Sequence, residues 1–443
     1  MNRTQVAQTK KMKKRNEILK TCCQVLKNKY KTYFSYMRSF LWEGKRNDFP
    51  LKDYFVELTV EKADLFGKKI GEKISLNEIF SIEQEGHQTI LVTGDPGYGK
   101  STLCKKNVYD WATTNYLKHF DLTFIVILRE LSDRSVKDAL LDDIHEYSPK
   151  NKNWNLQDKQ LNILVILDGF DEIVEKSKII TFIRQESFYI SRRMTIVVTS
   201  RPKAAEDIRE DMNMRFSIEG FSLKYQEKYI YLMLREDERK ARLFYHALIA
   251  NDFLRKIGEC PLMLRMLCCL CQNGEMEKLD TMTDLYIRIF SLITERYVRK
   301  TNQQDKFKRG KFFVGENLLL KLGEICRQRY IITSECLRYY FPKKDEYNFI
   351  MGLDILTLNS FSQYHIIIEY NFVHRTFGEF LTALLRYFNF FPFIRIGDVE
   401  LQFLLGFYND KPLPKKFLKC VEKNTFDSNS LRLVYRYMKV KKK

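Results

Sequence analysis

An α/β fold built around a phosphate-binding loop, followed by a mostly helical region, is what this 443-residue chain predicts. Three observations predict it. An apolar run over 89–93 leads into Gly94-Asp95-Pro96-Gly97-Tyr98-Gly99-Lys100-Ser101, a complete G-x-x-x-x-G-K-S loop, and a helical pattern follows it. A second apolar run delivers Asp168-Gly169-Phe170-Asp171-Glu172. Buried-strand patterns alternate with helical ones to about residue 220, and long helical patterns rich in Glu, Lys, Arg and Leu take over beyond it.

In chain order, residues 1–15 read as a flexible basic arm. Ile18, Leu19, Cys22, Val25, Leu26, Tyr30, Tyr33, Phe34 and Met37 then recur at helical spacing and predict one amphipathic helix. Residues 50–86 mix short alternating stretches with Gly and Lys and lead into the nucleotide domain. Helical spacing fits 100–117. The β-branched, apolar runs 120–128, 161–167 and 195–199 read as buried strands of a parallel sheet covered on both faces. A β-rich stretch at 366–373 is the exception within the later helical region. No leucine-rich or tetratricopeptide period is evident.

Apolar residues make up 45% and charged residues 30%, the balance of a globular protein with sizeable cores. The most apolar stretch, 380–393, is interrupted by Arg386, Asn389 and Pro392, which argues against a membrane span. The first residues carry no apolar leader pattern, and the ten cysteines follow no disulfide-like spacing. A cytoplasmic protein with reduced thiols is the expectation. The net charge of +19 is uneven: residues 1–38 hold eleven Lys or Arg against Glu17 alone, and 429–443 hold six more. Excess charge confined to the two ends reads as solvated basic tails, in preference to a nucleic-acid or acidic-membrane contact.

The candidate site residues follow from their chemistry. The loop glycines allow backbone N–H groups to turn inward around phosphate oxygens; Lys100 reaches the β- and γ-phosphates, and the Ser101 hydroxyl is a Mg²⁺ ligand. The start of the following helix adds positive potential. Asp168, at the carboxyl end of a strand, is placed to hold Mg²⁺, and Asp171 or Glu172 to polarise an attacking water. Thr199-Ser200-Arg201-Pro202 ends another strand, and Arg201 is placed to sense a γ-phosphate. Cys260, Cys268, Cys269 and Cys271 lack the partner spacing of a structural zinc site and read as buried thiols.

Asp168-Gly-Phe-Asp-Glu, with its small residue after the first acid and further acids two and three positions on, resembles the NACHT class of signal-transduction NTPases, the nucleotide-binding core of NOD-like receptors. Asp95 to Thr102 matches that family's phosphate loop. Tyr109-Asp-Trp111-Ala112 is similar to its usual helix ending, and Leu128-Arg129-Glu130-Leu131 to the end of its second strand. Cys260-Pro261-Leu262-Met263-Leu264 resembles the helical-domain motif whose proline lies against adenine, with Glu259 where the family often has Gly. Phe372-Val373-His374-Arg375-Thr376-Phe377-Gly378-Glu379-Phe380 resembles the winged-helix motif whose histidine meets the β-phosphate of ADP.

The resemblance, covering about 75–395, implies an α/β P-loop NTPase (parallel sheet covered by helices) followed by mostly α helical and winged-helix domains. Its divisions are an N-terminal region at 1–75, a nucleotide-binding domain at 76–220, a helical domain at 221–304, a winged-helix domain at 305–392, and the start of a second helical region with a basic tail at 393–443. It implies ATP/ADP and Mg²⁺ as cofactors, slow turnover, and a switch in which nucleotide exchange opens a closed form and permits homo-oligomerisation. No N-K-x-D-like run for guanine recognition occurs. The rivals are a scaffold that binds nucleotide for stability and, behind it, a nucleic-acid-stimulated ATPase.

Overall fold

The computed structural model describes residues 3–37, 49–80, 86–131, 134–145, 160–173, 175–276, 279–328, 332–358, 368–389 and 396–409, with a few isolated positions beyond. The chain forms two compact units. The first comprises residues 1–38, 47–232 and the short return 259–262; the second comprises 39–46, 233–258 and 263–443.

The first unit is a seven-stranded sheet: β1 (Thr59–Ala63), β2 (Lys69–Ile74), β3 (Gln88–Gly94), β4 (Leu122–Ile127), β5 (Asn162–Asp168), β6 (Arg193–Ser200) and β7 (Met214–Gly220), in the order β2-β1-β7-β3-β6-β5-β4. The five strands from β7 to β4 are mutually parallel, and β1 joins β7 antiparallel. Ile163 to Leu167 are completely buried, as strands covered on both faces require. The runs predicted at 120–128, 161–167 and 195–199 become β4, β5 and β6. β6 lies between β3 and β5, so Arg201 emerges between the phosphate loop and Asp168.

A single helix, α1 (Arg3–Tyr33), occupies the region predicted as a basic arm plus a helix, so the arm assigned to 1–15 is corrected to helix from Arg3. That stretch contains neither Gly nor Pro and is rich in Lys, Arg and Gln, all good helix formers. Cys22, Leu26 and Tyr30, one turn apart, are fully buried against the sheet's β4 side, and the Tyr30 hydroxyl donates to Thr123 O at 2.9 Å. Burying each such side chain contributes about 1.5–3 kcal/mol. The helix predicted after the phosphate loop is α2 (Lys100–Thr113), and Trp111 Nε1 donates to Phe120 O at 3.2 Å, closing its end.

The second unit is mostly helical, with one three-stranded antiparallel sheet of β8 (Ile332–Thr333), β9 (Leu356–Leu358) and β10 (Glu369–Phe372), ordered β8-β10-β9. Helix Glu316–Gln328 precedes β8, helices Ser334–Tyr340 and Lys344–Gly352 separate β8 from β9, and helix Arg375–Asn389 follows β10. Of the β-rich stretch predicted at 366–373, β10 uses four residues; residues 359–367 lie outside the described ones. The core is aromatic: Tyr286, Phe290, Phe313, Phe377, Phe380 and Phe403 pack with ring centroids 4.7–6.4 Å apart. The predicted basic tail lies almost wholly outside the described residues. No described helix is long and apolar enough to cross a membrane.

Candidate nucleotide site

The phosphate loop turns between β3 and α2. Gly97 sits at φ +82°, a left-handed conformation that glycine adopts without strain, and a Cβ there would lie 2.7 Å from Cys260 Sγ. The Lys100 ammonium donates to Gly94 O at 2.6 Å and Asp95 O at 3.1 Å. Burial pulls its pKa down, with Asp171 opposing that and Arg201 adding to it. Ser101 is exposed and Thr102 half-buried on the first turn of α2.

Asp168 ends β5 with 4% exposure. Its Oδ1 accepts from Thr199 Oγ1 at 2.6 Å, and the same hydroxyl accepts from Gly169 N at 2.9 Å. Cys104, one turn into α2, is fully buried, and burial, with the negative charge of Asp168, pushes its thiol far above the usual range. β6 thereby sets the carboxylate at the end of β5 through Thr199.

The two following acids have different surroundings. Asp171 Oδ2 lies 2.9 Å from Arg201 Nε, and its Oδ1 accepts from Arg201 N at 3.2 Å; the Asp171 side chain is only 6% exposed. Glu172 faces Arg129 Nη1 at 3.4 Å with both side chains 31% exposed. Burial raises the Glu172 pKa, with Arg129 lowering it and Asp171 and Asp168 raising it. Arg129 Nε is buried with no hydrogen-bond partner among the described residues, so the guanidinium retains donor capacity at this edge.

Pro261 belongs to the return 259–262, which is stitched to the phosphate loop within the first unit. Leu262 N donates to Gly97 O at 3.2 Å, Phe221 N donates to Glu259 O at 2.8 Å, and Cys260 Sγ lies 3.7 Å from Pro96 O. Gly220, at φ +78°, permits this approach: a Cβ there would stand 2.1 Å from Glu259 O and 3.0 Å from Tyr98 Cδ1. Burial pushes the Tyr98 phenol well up, and Cys260, Asp95, Glu259 and Glu219 push it further.

The first unit thus gathers Gly94 to Thr102, Asp168, Asp171, Glu172, Arg201 and Pro261. His374 belongs to the second unit, where its Nδ1 accepts from Thr376 N at 3.3 Å and meets Thr376 Oγ1 at 2.8 Å. An amide N–H can only donate, so Nδ1 is the acceptor and the proton lies on Nε2. Sequence reasoning missed Thr199 and Arg129 as site residues. Thr199 stood inside the Thr-Ser-Arg-Pro signal, and Arg129 inside the Leu128-Arg129-Glu130-Leu131 match to the family's second strand. Cys260, Cys268 and Cys269 are buried and Cys271 is half-buried.

A family model for the NACHT domain matches residues 88–237. The zebrafish (Danio rerio) NACHT, LRR and PYD domains-containing protein 1 homolog is 24% identical over 253 residues, 51% of this chain and 18% of that protein. The human (Homo sapiens) NACHT, LRR and PYD domains-containing protein 3 is 23% identical over 335 residues, 67% of this chain and 30% of that protein. The chain therefore spans less than a third of the length of either relative. Among solved structures, a signal transduction ATPase with numerous domains and a tetratricopeptide repeat sensor from Pyrococcus horikoshii aligns with a TM-score of 0.34 and 14% identity, covering 82% of this chain and 49% of that one.

Proposed function

We propose that this chain is a NACHT NTPase of the NOD-like receptor type and, from that premise, an ATP/ADP-dependent signalling switch. The observation that carries the reading is the convergence of Lys100, Arg201 and Asp168 at the carboxyl ends of the neighbouring strands β3, β6 and β5. Lys100 bonds loop carbonyls that a phosphate would replace. Arg201 is held at the edge of the site by Asp171, and a γ-phosphate competes with that carboxylate for its guanidinium. ADP and ATP differ by that group, and a ligand shifts a conformational equilibrium only through its differential affinity for the two states. Arg201 supplies the difference.

The exposed Ser101 hydroxyl and the Asp168 carboxylate, positioned by Thr199, are hard oxygen donors that fit Mg²⁺ shared with phosphates. When bound, the ion neutralises phosphate charge. Glu172 is the base that orients and deprotonates water, because its side chain is 31% exposed against 6% for Asp171. The order helix, strand, helix, helix, strand, strand over 316–372 supports a winged-helix domain at 305–392, with a helical domain before it at 221–304. From the family resemblance, Pro261 lies against adenine and His374 donates from Nε2 to the β-phosphate of ADP, closing the molecule. ATP releases that clamp and permits self-assembly, in cytoplasmic innate immune or stress signalling.

The test is to identify the nucleotide that co-purifies and follow particle size as ATP replaces it. Tightly held ADP and an ATP-driven increase in size are expected, with assembly abolished in Lys100→Ala. If Lys100→Ala lowers only the melting temperature and assembly persists, nucleotide is a structural ligand and the switch reading fails.

A further inference from the structure

The β1–β2 hairpin closes in a hydrogen-bonded turn that presents apolar side chains to solvent. Asp64 Oδ1 accepts from Phe66 N at 2.9 Å and Lys68 N at 2.8 Å, Gly67 N donates to Asp64 O at 3.0 Å, and Gly67 takes φ +76°. At this ordered tip Phe66 is 81% exposed, with Leu65 and Ile70 also exposed.

The tip is tied to the nucleotide site through one element, the 3-10 helix Ala204–Asp211 that begins three residues after Arg201. Arg209 on this helix donates from Nη1 to Phe66 O at 3.0 Å and from Nη2 to Pro202 O at 3.4 Å. One guanidinium therefore bridges the hairpin tip and the residue next to Arg201. On its other side, the Lys176 ammonium lies 2.6 Å from Asp207 Oδ2, 3.4 Å from Ala204 O and 5.0 Å from the centroid of the Phe170 ring, within the acidic turn. Arg215 on β7 donates to Arg209 O at 2.8–3.0 Å and anchors the helix end. The helix is thus gripped by the acidic turn at one flank and by the hairpin at the other.

We propose that the β1–β2 hairpin tip is a readout of γ-phosphate occupancy, moved through Arg201, the 3-10 helix and Arg209. The idea rests on the switch reading and extends it to a surface some distance from the phosphates. When Arg201 exchanges Asp171 for a γ-phosphate, its neighbour Pro202 moves with it. Arg209 shares one fork between Pro202 and Phe66, so the shift reaches the tip and changes how Leu65 and Phe66 are offered. Arg209 spans the two carbonyls from separate nitrogens, Nη1 and Nη2, a reach that a single ammonium nitrogen at the end of a lysine lacks.

Amide hydrogen exchange over residues 64–70 of the full chain tests this, with ADP and then a non-hydrolysable ATP analogue, alongside nucleotide titrations of the same samples. A change of roughly threefold or more in exchange between the two ligands is expected. Arg209→Ala and Arg209→Lys should each erase it while both nucleotides still bind within about twofold of the parent affinity. Should the alanine variant fail to fold, the lysine variant decides, since it keeps the charge and loses the fork. Equal exchange with both nucleotides bound, or a difference that survives Arg209→Lys, overturns the link while leaving the switch intact. A chain that binds neither nucleotide overturns both.

Discussion

Gly220→Ala tests whether the return 259–262 is part of the phosphate site. The left-handed φ of +78° costs an alanine about 1 kcal/mol. The added Cβ would stand 2.1 Å from Glu259 O, which must retreat, giving up the 2.8 Å bond from Phe221 N and, through the short connection, the Leu262 N to Gly97 O bond. Each lost bond costs about 1 kcal/mol, so the total is about 3 kcal/mol. Gly71→Ala is the matched control: its φ is +80° with nothing within 4 Å of the new Cβ, so only the backbone cost of about 1 kcal/mol applies. Both variants share the reduced freedom of the unfolded chain, which cancels in the comparison. Urea unfolding should separate them by about 2 kcal/mol, and ADP affinity should fall about tenfold in Gly220→Ala alone. Indistinguishable variants would refute the argument that the return supports the loop.

Two further outcomes are expected. Thr199→Val removes the Thr199 Oγ1 donor from Asp168 and the acceptor of Gly169 N in a buried place; it should cost about 1–3 kcal/mol and raise the Mg²⁺ concentration needed for nucleotide binding, while Thr199→Ser retains parent behaviour. A Mg²⁺ titration that does not move would dismiss Thr199 as a positioning residue. Glu172→Gln should lower ATP turnover by about 10²–10⁴ without weakening binding. Burial favours the neutral carboxyl and the base must be ionised, so parent turnover should rise with pH through an apparent pKa above the ordinary 4.5. That acid limb should vanish in Glu172→Gln; its persistence would assign it to another group.

The five parallel strands differ in how plainly the sequence announces them. β3, β5 and β6 are buried on both faces and read as unbroken β-branched runs, so they and the phosphate loop are legible without structure. β7, Met-Arg-Phe-Ser-Ile-Glu-Gly, alternates because it lies next to the thinly covered edge, and it escaped notice. β2 is almost wholly exposed, so Lys-Ile-Gly-Glu-Lys-Ile carries no burial period at all. The pairs Thr199–Asp168, Arg129–Glu172 and Arg209–Phe66 are separated by 31, 43 and 143 residues respectively. Such partnerships are made by strand order, which places β6 between β3 and β5, and local spacing holds no trace of that order.

The four-residue return has a practical consequence for dissecting the molecule. A fragment ended at residue 237, where the family match stops, would retain every phosphate-loop residue yet lack Glu259 to Leu262. Gly97 O would lose its amide partner, and Tyr98 and the end of β7 would be uncovered to water. Nucleotide affinities measured on such a fragment would describe a loop missing its backing, and a fragment carried through residue 262 is the smallest contiguous piece that keeps it.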